Sequence, residues 1–230
     1  MNDGILGIEN RTENWKTARI FAPLSKCQRA RFVASLCPRT EVSATSVKME
    51  LFWKGVRDHV HKHNSDADEK FWAEYKEGFG CLHKCIESSD FQLKLPNKEW
   101  NYATNCHHKS KLLNNLKGTE IDIVFETPDH LFIGEAKSLS GFGRDGKLLL
   151  VHQLIRQYVA ASLLMRVKKE KKKIIPFIVA DNLDSVNRSE QVKFMKARGW
   201  LDKANIIDWD DVLNRVAGRK MHRCAQAAAS

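Results

Sequence analysis

The 230-residue chain has no long apolar run. Its longest wholly apolar stretches are a few residues, such as LLLV at 148–151, far short of the roughly 20 needed to cross a bilayer as a helix. The opening MNDGILGIEN lacks the cationic start and apolar centre of a secretion signal, so a cytoplasmic location is the expectation. Acidic charge is in deficit: 28 Asp and Glu stand against 38 Lys and Arg, a formal charge of +10. That sign favours a polyanionic partner without naming one. There is no internal repeat, no zinc-finger spacing, no RNP-like aromatic pair and no helix-turn-helix pattern. Nothing therefore separates DNA from RNA or sets a recognition sequence.

Paired CxxC spacing is also missing, although the chain has six cysteines. Without a secretion signal these read as thiols rather than a disulfide framework. Two local groups, Cys81, His83 and Cys85, then Cys106, His107 and His108, admit a structural zinc site. The spacing fits scattered residues better. GFGRDGK, residues 141–147, has the glycine and lysine spacing of a phosphate-binding loop, but Leu148 stands where a Ser or Thr would hold Mg²⁺. A loop offering Arg144 and Lys147 to DNA phosphates is the more economical reading.

What is present is a mixed α/β pattern. RARFVASLC at 29–37 suggests a short helix, and apolar residues from Ser46 to about His63 recur at helical spacing, as do those from Asp68 to about Glu87. ILGIEN, FQLKL and WNYATNC suggest strands. TEIDIVFE and HLFIGEAK, joined by TPDH, read as a β-hairpin. A packed helix is expected in LLLVHQLIRQYVAASLLMRV, and a strand in IIPFIVA, with Pro176 pointing to an edge or a distortion. SEQVKFMKARGW predicts a helix capped at Ser189 and ending near Gly199, followed by a strand in ANIIDW and a helix in DVLNRVAG. The expected architecture is a central mixed sheet flanked by helices. Residues 1–67 are expected to form a mostly helical extension or cap, 68–215 the core, and 216–230 a loose tail.

The hairpin raises the chemical question. An acid, Asp122, lies in its first strand, and Glu135 and Lys137 share a face of the second, all in an apolar setting. Burying such groups is costly unless they pair or hold an ion. If the strands pair with those faces common, the two carboxylates converge, and a hard divalent ion such as Mg²⁺ or Mn²⁺ relieves their repulsion. Lys137 would then stabilise charge on phosphorus, or act as a base if its pKa is depressed. The plainer alternative is an incidental acid and a salt bridge.

GTEIDIVFETPDHLFIGEAKSL resembles the signature of the PD-(D/E)XK nuclease superfamily, in which a strand aspartate is followed by Glu-x-Lys on the neighbouring strand. The proline usual before the aspartate is replaced by Ile121. The resemblance implies a restriction-endonuclease-like core and a metal-dependent DNA endonuclease of restriction or genome-defence type, with Mg²⁺ as cofactor and Mn²⁺ as substitute. Asp122, Glu135 and Lys137 would be the metal-binding and catalytic residues. It also implies a further acid on a preceding helix, for which Glu77 is the first choice and Glu74 and Glu50 are rivals.

On the following helix, Gln153 and Gln157 share a face near Arg156. Many nucleases of that superfamily carry a polar residue there, so the resemblance implies Gln153 as a further catalytic residue, with Gln157 and Arg156 expected at the nucleic acid. RecB-like members show Gln-x-x-x-Tyr, from which Gln157 and Tyr158 depart. Lys109 and Lys111 before the hairpin are further phosphate-contact candidates, as are the lysines of 168–173. DNA is the expected partner, with a homodimer or a partner subunit of a defence or processing system completing double-strand cleavage. The competing class is a non-catalytic nucleic-acid-binding subunit that keeps the fold.

Overall fold

The computed structural model describes residues 12–38, 46–62, 116–138, 142 and 152–217. The two runs around TPDH form the expected hairpin, β2 (Ile121–Glu126) and β3 (His130–Lys137). Thr127 closes its turn: the backbone N–H donates to the His130 carbonyl at 2.9 Å, and the hydroxyl accepts from the His130 N–H at 3.0 Å. Before the hairpin come α1 (Thr12–Phe21), α2 (Lys26–Leu36), β1 (Lys48–Trp53) and α3 (Gly55–Lys62). After it come α4 (Gln153–Val167), β4 (Lys173–Ala180), α5 (Leu183–Arg188), α6 (Glu190–Ala197), β5 (Ile206–Ile207) and α7 (Trp209–Ala217).

The protein is α/β: among the described residues a five-stranded mixed sheet in the order β1-β2-β3-β4-β5 is flanked by helices. β1, β2 and β3 are antiparallel neighbours, while β4 runs parallel to β3 and β5 parallel to β4. A parallel connection needs a crossover, and α4 supplies it between β3 and β4. Alternation along the strands sends Phe125, Phe132 and Phe177 to one face, where Phe21 of α1, Phe32 of α2 and Trp209 of α7 meet them. Gly134 belongs there because an added Cβ would lie 2.2 Å from the Phe177 ring. On the other face, Leu154, Ile155 and Val159 of α4 pack with Phe194 and Met195 of α6.

Two expectations change. Residues 46–63 do not form one helix: 48–53 are β1 and only Gly55–Lys62 is helical. Met49 and Leu51 also satisfy a period of two, and pairing with β2 decides between the periods. Residues 12–62 are likewise not a separate cap among the described residues. They supply a strand of the sheet and, through α1 and α2, part of its aromatic core.

Pro176 sits in β4 between two strands without breaking either pairing. β4 keeps its pairing with β3 through Pro176, opposite Ile133, while β5 pairs only with Ile178 and Val179, and the Asn205 amide donates to the Pro176 carbonyl at 3.4 Å. The helix of 190–197 follows Ser189 and ends before Gly199, whose φ of +66° suits glycine. The expected elements at ILGIEN, 68–87, FQLKL and WNYATNC lie outside the described residues, as does the tail from 218.

Candidate active site

The register that pairs Ile123 with Gly134 places Asp122 across from Glu135 at the next position. There the backbone ladder gives way to a side chain, and the Asp122 Oδ2 accepts the Ala136 N–H at 2.9 Å. Glu135 is 1 % exposed and Lys137 6 %. The Lys137 Nζ lies 2.7 Å from the Glu135 Oε1. Two helical turns of α4 complete the cluster: the Gln153 Nε2 donates to the same Oε1, and the Gln157 Nε2 donates to the Glu135 Oε2 and, at 2.9 Å, to the Glu120 carbonyl. The i, i+4 spacing of the glutamines brings both amides to one carboxylate.

Sequence reasoning missed a third acid. Glu13, in the first turn of α1, accepts the Ser138 N–H at 3.1 Å through Oε1 and brings Oε2 to 3.7 Å from the Lys137 Nζ. Its signal was available in TENWKTARIF, where Glu13, Thr17 and Phe21 recur every fourth residue, and Thr17 and Phe21 are buried. Nearby, Lys16 pairs with Asp181 at 2.5 Å and lies 4.9 Å from the Trp209 ring centre, while the Asp181 N–H donates to the Lys137 carbonyl.

Burial, reinforced by the Glu135 charge, pushes the Asp122 carboxyl up to about 8, against the pull of the Ala136 N–H and Lys137. Burial also raises Glu135, opposed by Lys137 and the Gln157 amide. For Lys137, burial favours the neutral amine, but Glu135, Glu13 and Asp122 together overcome it and hold the group above the ordinary lysine value. The surrounding carboxylates thus favour the ammonium form of Lys137, the opposite direction to the depressed pKa that a base would need.

Five predicted residues thus meet: Asp122, Glu135, Lys137, Gln153 and Gln157. Gln157 is buried beneath the carboxylate, where it braces Glu135, rather than on an outer nucleic-acid-facing surface. Arg156 is half-buried on the same helix. Glu50 lies exposed in β1 rather than on a helix. Glu77, Glu74, Lys109, Lys111, Arg144, Lys147 and both Cys/His groups lie outside the described residues. Neither Cys27 nor Cys37 forms a disulfide among the described residues. Among the described residues no group of three or more His, Cys, Asp and Glu side chains is arranged to hold a metal, and no helix is long and apolar enough to cross a membrane. In comparisons with known proteins, the chain matches no family model, no curated protein and no solved structure.

Proposed function

We propose that the protein is a divalent-metal-dependent DNA endonuclease with a restriction-endonuclease-like core, of restriction or genome-defence type. The observation that carries this reading is the convergence of Asp122 with Glu135 and the Lys137 ammonium at one end of β2 and β3. Buried carboxylates whose charges repel each other offer hard oxygen donors suited to Mg²⁺, or to Mn²⁺ in its place, with water and phosphate oxygens completing the shell. Asp122 and Glu135 would hold the ion. Bound there, it would supply charge neutralisation and a more acidic water for attack on phosphorus.

The chain's own groups do the rest. Gln157 fixes one Glu135 oxygen, and Gln153 and Lys137 share the other. Lys137, steadied by Glu13, would offer an N–H to the oxygen that gains charge as the phosphodiester bond breaks. Lys137 would serve there as charge and donor. Double-strand cleavage with one site per chain is completed most simply by a homodimer, which light scattering across a concentration series would refute if the mass stayed at one chain, alone and with DNA.

A second reading has its own support. Both Glu135 oxygens are already engaged by protein donors, which suits a non-catalytic nucleic-acid-binding subunit that keeps the fold. Purified protein incubated with linear, circular, single-stranded, branched and modified DNA, with Mg²⁺, Mn²⁺ or EDTA, separates the two. Metal-dependent cleavage is expected. Absence of cleavage on all of these, together with no calorimetric binding of Mn²⁺, would sink the endonuclease reading in favour of the binding subunit.

A further inference from the structure

Among the described residues, two that are not glycine have left-handed backbone, Phe52 and Lys169, each at φ 54°. Lys169 closes the turn after α4, its N–H donating to the Arg166 carbonyl, a place where helices commonly take this conformation. Phe52 is different, because it lies inside β1. Leu51 pairs with Ile123 and Trp53 with Ile121, so Phe52 stands opposite Asp122. A bulky residue in this region is strained, and such strain gathers at functional sites.

The kink has a visible effect on the strand. Met49 and Leu51 pack against the aromatic face, whereas Trp53 packs with the clusters on the α4 face. Strict alternation would keep residues 49, 51 and 53 on one side. The change of side falls at the left-handed Phe52, and Ile121, the partner of Trp53 in β2, lies on the α4 face with it. Gly55 makes room for it: a Cβ there would lie 2.0 Å from the Trp53 ring.

Lys54, between Trp53 and Gly55, is thereby aimed at Glu120, with its Nζ 3.2 Å from the carboxylate and both side chains about one-third exposed, at 31 % and 32 %. The Arg57 guanidinium, held by Asp58 at 2.8 Å, also lies in the field of Glu120. Through its carbonyl, Glu120 accepts from Gln157, which braces Glu135. A carboxylate one-third exposed, paired with a lysine and two positions from Asp122, is a stand-in for a phosphate.

We propose that this β1–α3 corner is a phosphate seat: Lys54, with Arg57 beside it, exchanges Glu120 for a backbone phosphate of DNA next to the one placed at Asp122 and Glu135. The inference rests on the nucleic-acid reading above and adds a substrate-positioning residue to it.

The test uses the full chain carrying Asp122→Asn, so that no cleavage intervenes, and measures affinity for a labelled duplex across a series of KCl concentrations. Adding Lys54→Ala should weaken binding several-fold and flatten the log–log salt slope by about 0.9, one phosphate contact. Lys48→Ala, at the far end of the same strand and paired with Glu126, should change neither. Phe52→Gly accepts left-handed backbone and should keep the slope, whereas Phe52→Val resists it and should reproduce the Lys54→Ala loss in a protein that still melts cooperatively. An unchanged slope in Lys54→Ala overturns the seat, and a folded Phe52→Val with parental binding overturns the role of the kink. If neither the Asp122→Asn protein nor the unsubstituted chain binds DNA, the nucleic-acid reading falls with the seat; if the Asp122→Asn protein binds and ignores Lys54, only the seat falls.

Discussion

The hairpin carries a glutamate–lysine cluster at each end, and the two behave in opposite ways. At one end Glu126 meets Lys48 at 3.1 Å and also Lys172. Its burial is partial, so the upward pull of desolvation is outweighed by the two ammonium groups, and its pKa falls below the usual value. At the other end Glu135 meets Lys137 at 2.7 Å, but burial is complete, Asp122 adds a second acid, and both carboxyls are pushed upward. Similar pairs of residue types give a solvated brace in one place and a stressed cluster in the other. Water access makes the difference, because desolvation penalises charge more than a single partner restores it. A stressed cluster costs stability and is retained where that charge has a use.

The largest expected effect lies at the buried end. Lys137→Ala should lower single-turnover DNA cleavage on the order of 10²-fold or more, with affinity changed far less, since a group acting on the transition state affects rate more than binding. Parental single-turnover rates in a folded Lys137→Ala protein would remove the ammonium from the chemistry. The same substitution at Lys172, which has the same partner type but sits at the wet end, should leave the rate within about twofold, an effect too small for a lost transition-state contact.

Asp122→Asn probes the cost directly. A carboxyl raised from 3.8 to about 8 on folding means that the folded state binds more protons between those values. The contribution of Asp122 to stability is therefore complete below pH 3.8 and is lost as pH rises toward 8. The amide escapes this loss. Without added metal, Asp122→Asn should melt several degrees above the parent at pH 8 and within about a degree of it at pH 4, while losing Mn²⁺ binding by calorimetry. A variant less stable than the parent at pH 8 would show that the Ala136 hydrogen bond outweighs the repulsion.

Gln157→Leu tests what braces Glu135. It leaves the Glu120 carbonyl and the Glu135 Oε2 without their shared donor, at a cost of roughly 1–3 kcal/mol. Chemical denaturation of both single variants should find Gln153→Ala less damaging, because Lys137 still serves the oxygen that Gln153 shares. Equal losses would deny Gln157 its distinct place.

The hairpin, its facing acids and the glutamine pair were legible because the pattern of a strand and of a helix face is local: period two carries Glu135 and Lys137 to one side, and a spacing of four joins Gln153 to Gln157. β1 was not legible. Met49, Phe52, Trp53 and Val56 fit a helix as well as a strand, and only pairing with β2 settles the matter. Glu13 escaped for a related reason, since it lies 109 positions from Asp122 in the chain and only packing of Phe21 into the aromatic core brings its helix to the end of β3. The left-handed Phe52 has no sequence signal, because glycine or asparagine would be the residue expected there.

The smallest expected effect closes the comparison at the wet end. Glu126→Gln removes one exposed-side brace, and such pairs contribute about 0–1 kcal/mol. Its sign opposes that of Asp122. The folded pKa of Glu126 is depressed, so its stabilisation is present above the unfolded value near 4.5 and is lost as pH falls through the folded one. Glu126→Gln should therefore be slightly less stable than the parent at pH 7, equal to it at strongly acid pH, and flatter in high salt, where exposed pairs are screened. Urea denaturation at the two pH values measures this. If Glu126→Gln instead gained stability at pH 7, as Asp122→Asn is expected to do at pH 8, the two ends of the hairpin would not differ in kind, and burial would lose its place as the cause of the contrast.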